Sequence, residues 1–283
     1  VLRRKIIREI AGVLLAGAIA AFFYFAQQPS ENLELTFLDV GQGDAIFIRT
    51  PTQQKILVDA GPAGAVLAPL AVELHFWERE IDLAILTHPD TDHIAGFVEL
   101  LKRYKIRHIL LTGVQHETEW YDEILREIAR QNIPTTLASA ANNLDFGGGV
   151  RFDIFSPPEI LLDKFVGDAN AASIAGKLIF GKTAAILTGD LDIDSEKIVL
   201  ELGFDLSAQI LKLGHHGSKT SSSAEFLAAV NPAIAIVSAG ADNSFGHPSP
   251  EVLEKLKGVE ILETAKIGSI KFSSDGTEWK LEK

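Results

Sequence analysis

Residues 83–96, LAILTHPDTDHIAG, decide how this chain folds. An apolar strand from Leu83 to Leu86 stops at Thr87, a helix begins near Asp92, and the turn between them carries His88, Asp90, Asp92 and His93. Their close spacing lets imidazole and carboxylate groups converge from a short arc of backbone, and the free N–H groups of the following helix favour carboxylates beside it. Capping a helix needs one polar side chain, so four of them describe a ligand cluster. Two later segments have the same plan of strand followed by polar turn. AAILTGDLD (184–192) ends its apolar run at Gly189 and Asp190, and AQILKLGHHGSKTSSS (208–223) ends its own at His215 and His216. A GD pair alone is also an ordinary turn, and a histidine pair can be structural. All three turns together point to one sheet edge where the ligands meet.

The chain from about Asn32 alternates short strands with helices. Strands are expected at 35–38, 45–48, 56–58, 83–86, 109–111, 151–155, 178–180, 185–187, 210–213, 233–237 and 269–272. Most are nearly all apolar, as strands buried on both faces are. Helices are expected at 93–104, 119–131, 195–202, 224–230 and 250–257, and in 119–131 the face is read as Trp120, Ile124, Leu125 and Ile128. The class is α/β, with helices covering sheets. Residues 139–149 form the longest irregular stretch, and no Pro- or Ser-rich linker divides the body, so residues 33–283 read as one domain.

The N-terminus reads differently. Residues 1–9 carry Arg3, Arg4, Lys5 and Arg8 against Glu9, and 10–26 is an uncharged run, IAGVLLAGAIAAFFYFA. Its 17 residues are just enough for a transmembrane helix, and the basic flank sets the N-terminus in the cytoplasm. This gives a single-pass anchor in the cytoplasmic membrane, a linker at 27–32 and an extracytoplasmic domain. A cleaved signal peptide fits less well, because Phe22, Phe23, Tyr24 and Phe25 leave no small-residue cleavage site. If residues precede Val1, the same run reads as the last span of a longer channel.

Of 283 residues, 47% are hydrophobic and 23% charged, the balance of a chain with a real core. Cysteine is absent, which excludes disulfides, thiolate nucleophiles and Cys-ligated metals, so any metal is held by nitrogen and oxygen. Setting aside residues 1–26, the body has 22 Lys and Arg against 37 Asp and Glu, a net charge of −15. That is not the charge of a non-specific nucleic-acid binder, although a metal site can be cationic within an acidic protein.

His88-x-Asp90-x-Asp92-His93, Asp190 and His215 resemble the metal motifs of the metallo-β-lactamase-fold hydrolases. FLDVGQGDA (37–45), ILVDAG (56–61), LTHPDTDH, LTGD, LGHHGSKTS and FGHPSPEVLEKL (245–256) resemble more closely the extracytoplasmic domain of ComEC-type DNA-uptake proteins, over residues 33 to 276. The resemblance implies a four-layer αββα sandwich with its site along the sheet edges. It implies two divalent ions, one served by His88 and Asp90, the other by Asp92, His93 and His215, with Asp190 bridging both. It also implies that Asp59 orients the ligand loop, and Gly41, Gln42, Gly43 and Asp44 read as turn-shaping residues. Two departures from the superfamily matter. Asp90 stands where a second histidine is common, and no histidine lies between His116 and His215, a region where Asn170 or water would complete the coordination. A site this rich in oxygen makes Mn²⁺ a rival to Zn²⁺.

Two divalent ions outweigh Asp90, Asp92 and Asp190 by one positive charge, which suits a phosphodiester anion. A metal pair stabilises charge on the entering and leaving oxygens of an in-line displacement. Asp92 and Asp190 then belong to the catalytic set, and His216, Ser218 and His247 are candidates for substrate contact or leaving-group protonation. His75, His108 and His116 match no motif and read as surface or helix residues. The expected function is a membrane-anchored phosphodiesterase or nuclease acting on DNA outside the cytoplasmic membrane, with a DNA-uptake channel or pilus machinery as partner. The alternatives are hydrolysis of a small phosphoester such as a phosphocholine-type group, and a catalytically silent assembly module.

Overall fold

In the computed structural model, which describes residues 9–18 and 31–282, the apolar runs pair into two sheets. The first half of the chain forms helix α1 (9–18), β1 (Leu33–Phe37), β2 (Ile46–Arg49), β3 (Lys55–Val58), α2 (Leu67–Glu73), β4 (Glu80–Ile81) and β5 (Leu83–Leu86). It continues with α3 (Thr91–Ile94), α4 (Gly96–Arg103), β6 (Lys105–Ile106), β7 (Ile109–Leu111), α5 (Glu119–Gln131) and β8 (Thr135–Leu137). The second half forms β9 (Leu144–Asp145), β10 (Val150–Ser156), β11 (Ala175–Phe180), β12 (Thr183–Leu187), α6 (Ile193–Glu201), β13 (Ile210–Lys212) and α7 (Ala224–Val230). It ends with β14 (Ile234–Val237), α8 (Pro250–Lys255), β15 (Glu260–Glu263), α9 (Thr264–Ile267), β16 (Ile270–Ser274) and β17 (Trp279–Leu281).

One sheet has the order β17-β16-β1-β2-β3-β5-β7-β8, the other β15-β14-β13-β12-β11-β10-β9. Each joins an antiparallel part to a parallel part, β3-β5-β7-β8 in the first and β12-β13-β14-β15 in the second. Alternation along the strands builds the layers. Ile46 and Ile48 of β2 face the second sheet, where they pack with Phe152, Leu178 and Ile210. Phe47, between them, faces outward against Leu70, Phe97 and Leu100 of α2 and α4. On the far side, Ile186 and Leu211 pack under Phe226, Val230 and Val252 of α7 and α8. The result is an αββα sandwich, and the carboxyl ends of β5, β12 and β13 open on the same edge.

Several elements differ from the sequence reading. The helix expected over 93–104 is two pieces that meet at Ala95, and Gly96 at the start of the second packs so closely on the Ala60 carbonyl that a side chain there would overlap it. In α5 the buried face is Tyr121, Ile124 and Ile128, while Trp120 and Leu125 are 37% and 38% exposed. The stripe is thus turned by one position, because the α5 face that meets α3 and α4 sets which residues are covered. The 139–149 stretch contains β9, paired with β10. Strand β15 (EILE) carries no strand signal in the sequence because its outer residues are charged, and α2 no helical one because Pro69 interrupts its pattern. The expected span 10–26 lies partly outside the described residues. Residues 9–18 are helical and exposed, and among the described residues no helix is long and apolar enough to cross a membrane.

Candidate metal centre

Strand β5 is buried and ends at Thr87, so the turn after it emerges at the sheet edge between the two layers. Asp90 stands at the N-cap of α3 but makes no capping hydrogen bond. Its carboxylate turns to the histidines instead, 3.7 Å from His88 Nε2 and 3.6 Å from His116 Nε2. His93 Nε2 lies 3.2 Å from Asp190 Oδ1, which the Gly189 turn after β12 delivers from the other sheet. His216 Nε2 completes the group, 3.2 Å from Asp92 Oδ2 and 3.4 Å from Asp190 Oδ2.

The other ring nitrogen of each imidazole already has a partner. His216 Nδ1 donates to the Ser238 carbonyl at 2.8 Å. His93 Nδ1 donates to Asp59 Oδ2 at 2.7 Å. The Thr87 hydroxyl donates to the same Asp59 oxygen at 2.6 Å and so accepts from His88 Nδ1 at 3.0 Å. One buried carboxylate thus orients two imidazoles, and in all three rings Nδ1 donates to its partner, so that Nε2 is the atom turned to the cluster. That leaves Nε2 of His88, His93 and His216, together with Asp190 Oδ1, buried with no hydrogen-bond partner. Each such group costs ~1–3 kcal/mol if left unpaired, and a cation relieves all of them at once. Atoms of Asp44, His93, Asp190 and His216 lie within 4.8 Å of one another, so the donor set and its spacing fit a metal ion. Asn170 Oδ1 is also buried without a partner, in the turn just before Ser173, whose hydroxyl accepts from the Asp190 amide at 3.1 Å and lies 3.4 Å from His88 Nδ1.

Charges here are strongly coupled. Burial would raise the Asp190 carboxyl, but His216 and His93 outweigh it and hold it well below the usual carboxylate range. Asp92 is lowered in the same way, burial being overcome by His216 and His93. Conversely, burial would lower His93 and His216, yet Asp190 and the other carboxylates raise both, His216 to about 9.

The turn after β13 departs from expectation. His215 and His216 both have left-handed backbone, φ 47° and 55°. This pair of conformations, costly for residues with a Cβ, sends His216 inward and leaves His215 at the rim. His215 Nδ1 meets Thr220 Oγ1 at 3.2 Å, and its Nε2 stays 3.9 Å from Asp190. His247 lies beside it, ring centroids 5.5 Å apart, and Ser218 bonds Thr220 without reaching the cluster. Burial holds both rim imidazoles, His215 and His247, below their ordinary value.

Sequence reading undervalued three residues. His116 matches no motif and reads as a surface or helix residue, yet it faces Asp90. Asp44 reads as part of a turn, yet it is buried beside His216 Nδ1 at 3.4 Å and paired with Lys212 Nζ at 2.6 Å. Gly43 explains its placement: with φ 126°, any Cβ there would sit 2.1 Å from the Asp92 carbonyl, so the loop presses directly on the ligand turn. Lys212 is fully buried in an otherwise apolar strand, and that lone charge in QILKLG was the available signal.

Fold and site together define an αββα protein with a nitrogen and oxygen ligand set able to hold a metal ion. The metallo-beta-lactamase superfamily profile matches residues 38–241, and the chain belongs to that family. It is 27% identical to ComE operon protein 3 of Bacillus subtilis, covering 94% of this chain and 36% of that one. It is 31% identical to Competence protein ComA of Neisseria gonorrhoeae, with coverage again 94% and 36%. The chain thus spans about a third of the length of these curated relatives. Among solved structures, the metallo-beta-lactamase fold protein YhfI of Bacillus subtilis shares the fold, with TM-score 0.55 and 12% identity over 86% of this chain and 100% of that one.

Proposed function

We propose that this chain is a dinuclear metal-dependent phosphodiesterase acting on DNA, anchored through residues 10–26 with its catalytic domain outside the cytoplasmic membrane. The observation that carries the chemistry is the Asp190 carboxylate, whose Oδ1 faces His93 Nε2 at 3.2 Å while its Oδ2 faces His216 Nε2 at 3.4 Å. On this reading Asp92, His93 and His216 would hold one ion together with Asp190, whose two oxygens face His93 and His216, and His88 and Asp90 would hold the other. The oxygen-rich set suits Mn²⁺ as well as Zn²⁺. When bound, such a pair polarises a phosphoryl oxygen and stabilises charge on the entering and leaving oxygens.

The chain's own groups do the rest. Asp59 and Thr87 fix His93 and His88 through Nδ1, so that Nε2 of each is the atom turned to the cluster. Lys212 compensates the buried charge of Asp44, so that the 41–44 loop stays against the ligand turn. His215 and His247 are held below their ordinary value by burial, hence neutral at pH 7, and each can donate one hydrogen bond to a phosphate oxygen at the mouth.

DNA is favoured as substrate by the motifs that resemble ComEC-type DNA-uptake proteins and by the relative named Competence protein ComA. A small phosphoester is the second reading, favoured by the net charge of −15 on the body. The test uses the full chain in detergent with Mn²⁺, on single- and double-stranded DNA and on a chromogenic bis-phosphodiester, beside Asp190→Asn. Cleavage of DNA that Asp190→Asn loses supports the proposal. Hydrolysis of the small ester alone replaces DNA with the second reading, and inactivity on both in a metal-loaded protein removes the phosphodiesterase.

A further inference from the structure

The rim of the cluster carries groups that metal binding does not use. Residues 240–249, which lead into α8, lie over its His215 side. Asn243 ties this loop to itself, donating from Nδ2 to the carbonyls of Gly240 and His247 and accepting from the His247 amide. The Gly240 amide ties it to the first sheet by donating to Gln42 Oε1. This clamp holds Phe245 in the open, 68% exposed, its ring 5.7 Å from the His247 ring and tilted by 22°. The His247 ring in turn lies 5.5 Å from His215 and 6.4 Å from His216. Single exposed apolar side chains are common and need no explanation. A ring carried on a hydrogen-bonded loop and stacked on an imidazole beside the ligand cluster is a different feature, because it offers an open stacking face next to the site. On the other side of His215 stands Thr220, whose hydroxyl meets His215 Nδ1 at 3.2 Å. Its neighbour Lys219 is exposed and, among the described residues, forms no ion pair, although acids outnumber bases 38 to 26 in this chain.

We infer that Phe245 and Lys219 form a nucleotide subsite flanking the metal centre, in which an unpaired base stacks on Phe245 and the adjoining phosphate is held by Lys219. The inference rests on the phosphodiesterase reading above and narrows its substrate to single-stranded DNA. In a duplex the base faces are already stacked on one another, and a lone ring has nothing to hold.

The test is equilibrium binding and cleavage by the full chain with Mn²⁺, using fluorescent oligothymidylate, an abasic oligomer of equal length and charge, and a duplex. Stacking of one base predicts that the abasic oligomer binds about tenfold more weakly than oligothymidylate. Phe245→Ala is expected to lose that preference, raising KM on oligothymidylate by about tenfold with much less change in kcat. Lys219→Ala is expected to weaken both oligomers and to reduce the salt dependence of binding by about 0.7 in log–log slope, the release expected from one phosphate contact on a single strand. Phe76→Ala is the control: that ring is 79% exposed but follows α2, at the end of the first sheet away from the ligand turn, and its removal leaves KM unchanged. Equal binding of the abasic and normal oligomers by wild type overturns the subsite, as does a folded Phe245→Ala chain with wild-type KM, and in both cases DNA cleavage itself still stands. A wild-type chain that neither binds nor cuts any DNA overturns the DNA reading and the subsite with it.

Discussion

Replacing Asp59 with asparagine tests how the imidazoles are held. Asp59 is buried and has φ 57°, a left-handed conformation that asparagine tolerates as well as aspartate, so backbone and shape are kept. Only the charge and one acceptor are lost. In the wild-type protein Oδ1 accepts from the Thr87 amide at 2.8 Å, while Oδ2 accepts from the Thr87 hydroxyl at 2.6 Å and from His93 Nδ1 at 2.7 Å. An asparagine has one oxygen for these two sides. If the oxygen faces His93, the new NH₂ confronts the Thr87 amide. If it faces that amide, the NH₂ confronts His93 Nδ1 and drives the imidazole proton to Nε2, where the cation belongs. Either arrangement leaves a buried donor unpaired, worth ~1–3 kcal/mol of folding stability. Loss of such a partner to a metal-binding histidine typically weakens metal affinity ~10–100-fold, or ~1.4–2.7 kcal/mol. The assay is competition with a chelator for Mn²⁺ and Zn²⁺ in wild type and Asp59→Asn, with thermal unfolding in excess chelator to record the folding cost separately. A folded Asp59→Asn protein that binds metal within twofold of wild type would refute the orienting role of this carboxylate.

Three further outcomes follow from the same geometry. His216→Ala is expected to lose at least tenfold in metal affinity while His215→Ala keeps its metal content, since only His216 turns Nε2 to Asp92 and Asp190; metal analysis after dialysis checks this, and the reverse pattern sinks the assignment. His93 and His216 are both raised, His216 to about 9, so at pH 7 the chelator-stripped chain carries protons that metal must displace. Metal loading will therefore release protons and weaken as pH falls below 9, measurable by calorimetry in buffers of different ionisation enthalpy; loading without proton release contradicts it. At the opposite end of β3, burial would raise Glu78, but Arg49 at 3.2 Å, the His75 amide and Lys55 at 3.2 Å hold its carboxyl down at about 2. Its contribution is therefore present above about pH 4.5 and lost as pH falls towards 2, and Glu78→Gln is expected to cost on the order of 1 kcal/mol at pH 7 after solvent screening. Denaturant unfolding should show that gap narrowing across the same interval.

Much of the site was legible because its parts are local. A strand that ends in His-x-Asp-x-Asp-His must turn within a few residues, and β12 and β13 end in the same manner, so His88, Asp90, Asp92, His93 and Asp190 could be named without coordinates. The choice between His215 and His216 could not, since it depends on two successive left-handed residues that no hydrophobic period encodes. His116 lay beyond reach for another reason: it meets Asp90 through a loop after β7, a neighbour of β5 only once the strand order is known.

From its sequence alone this protein was bound to be a layered α/β chain with nitrogen and oxygen ligands gathered at strand ends, because strand burial and the absence of cysteine leave little else. Tertiary structure alone decided that Asp44 would meet Lys212, that Asp59 would serve two histidines at once, and that Phe245 would stand open at the mouth. Residues 44 and 212 come from opposite sheets, and a buried charge finds its counterpart only when those sheets close upon each other.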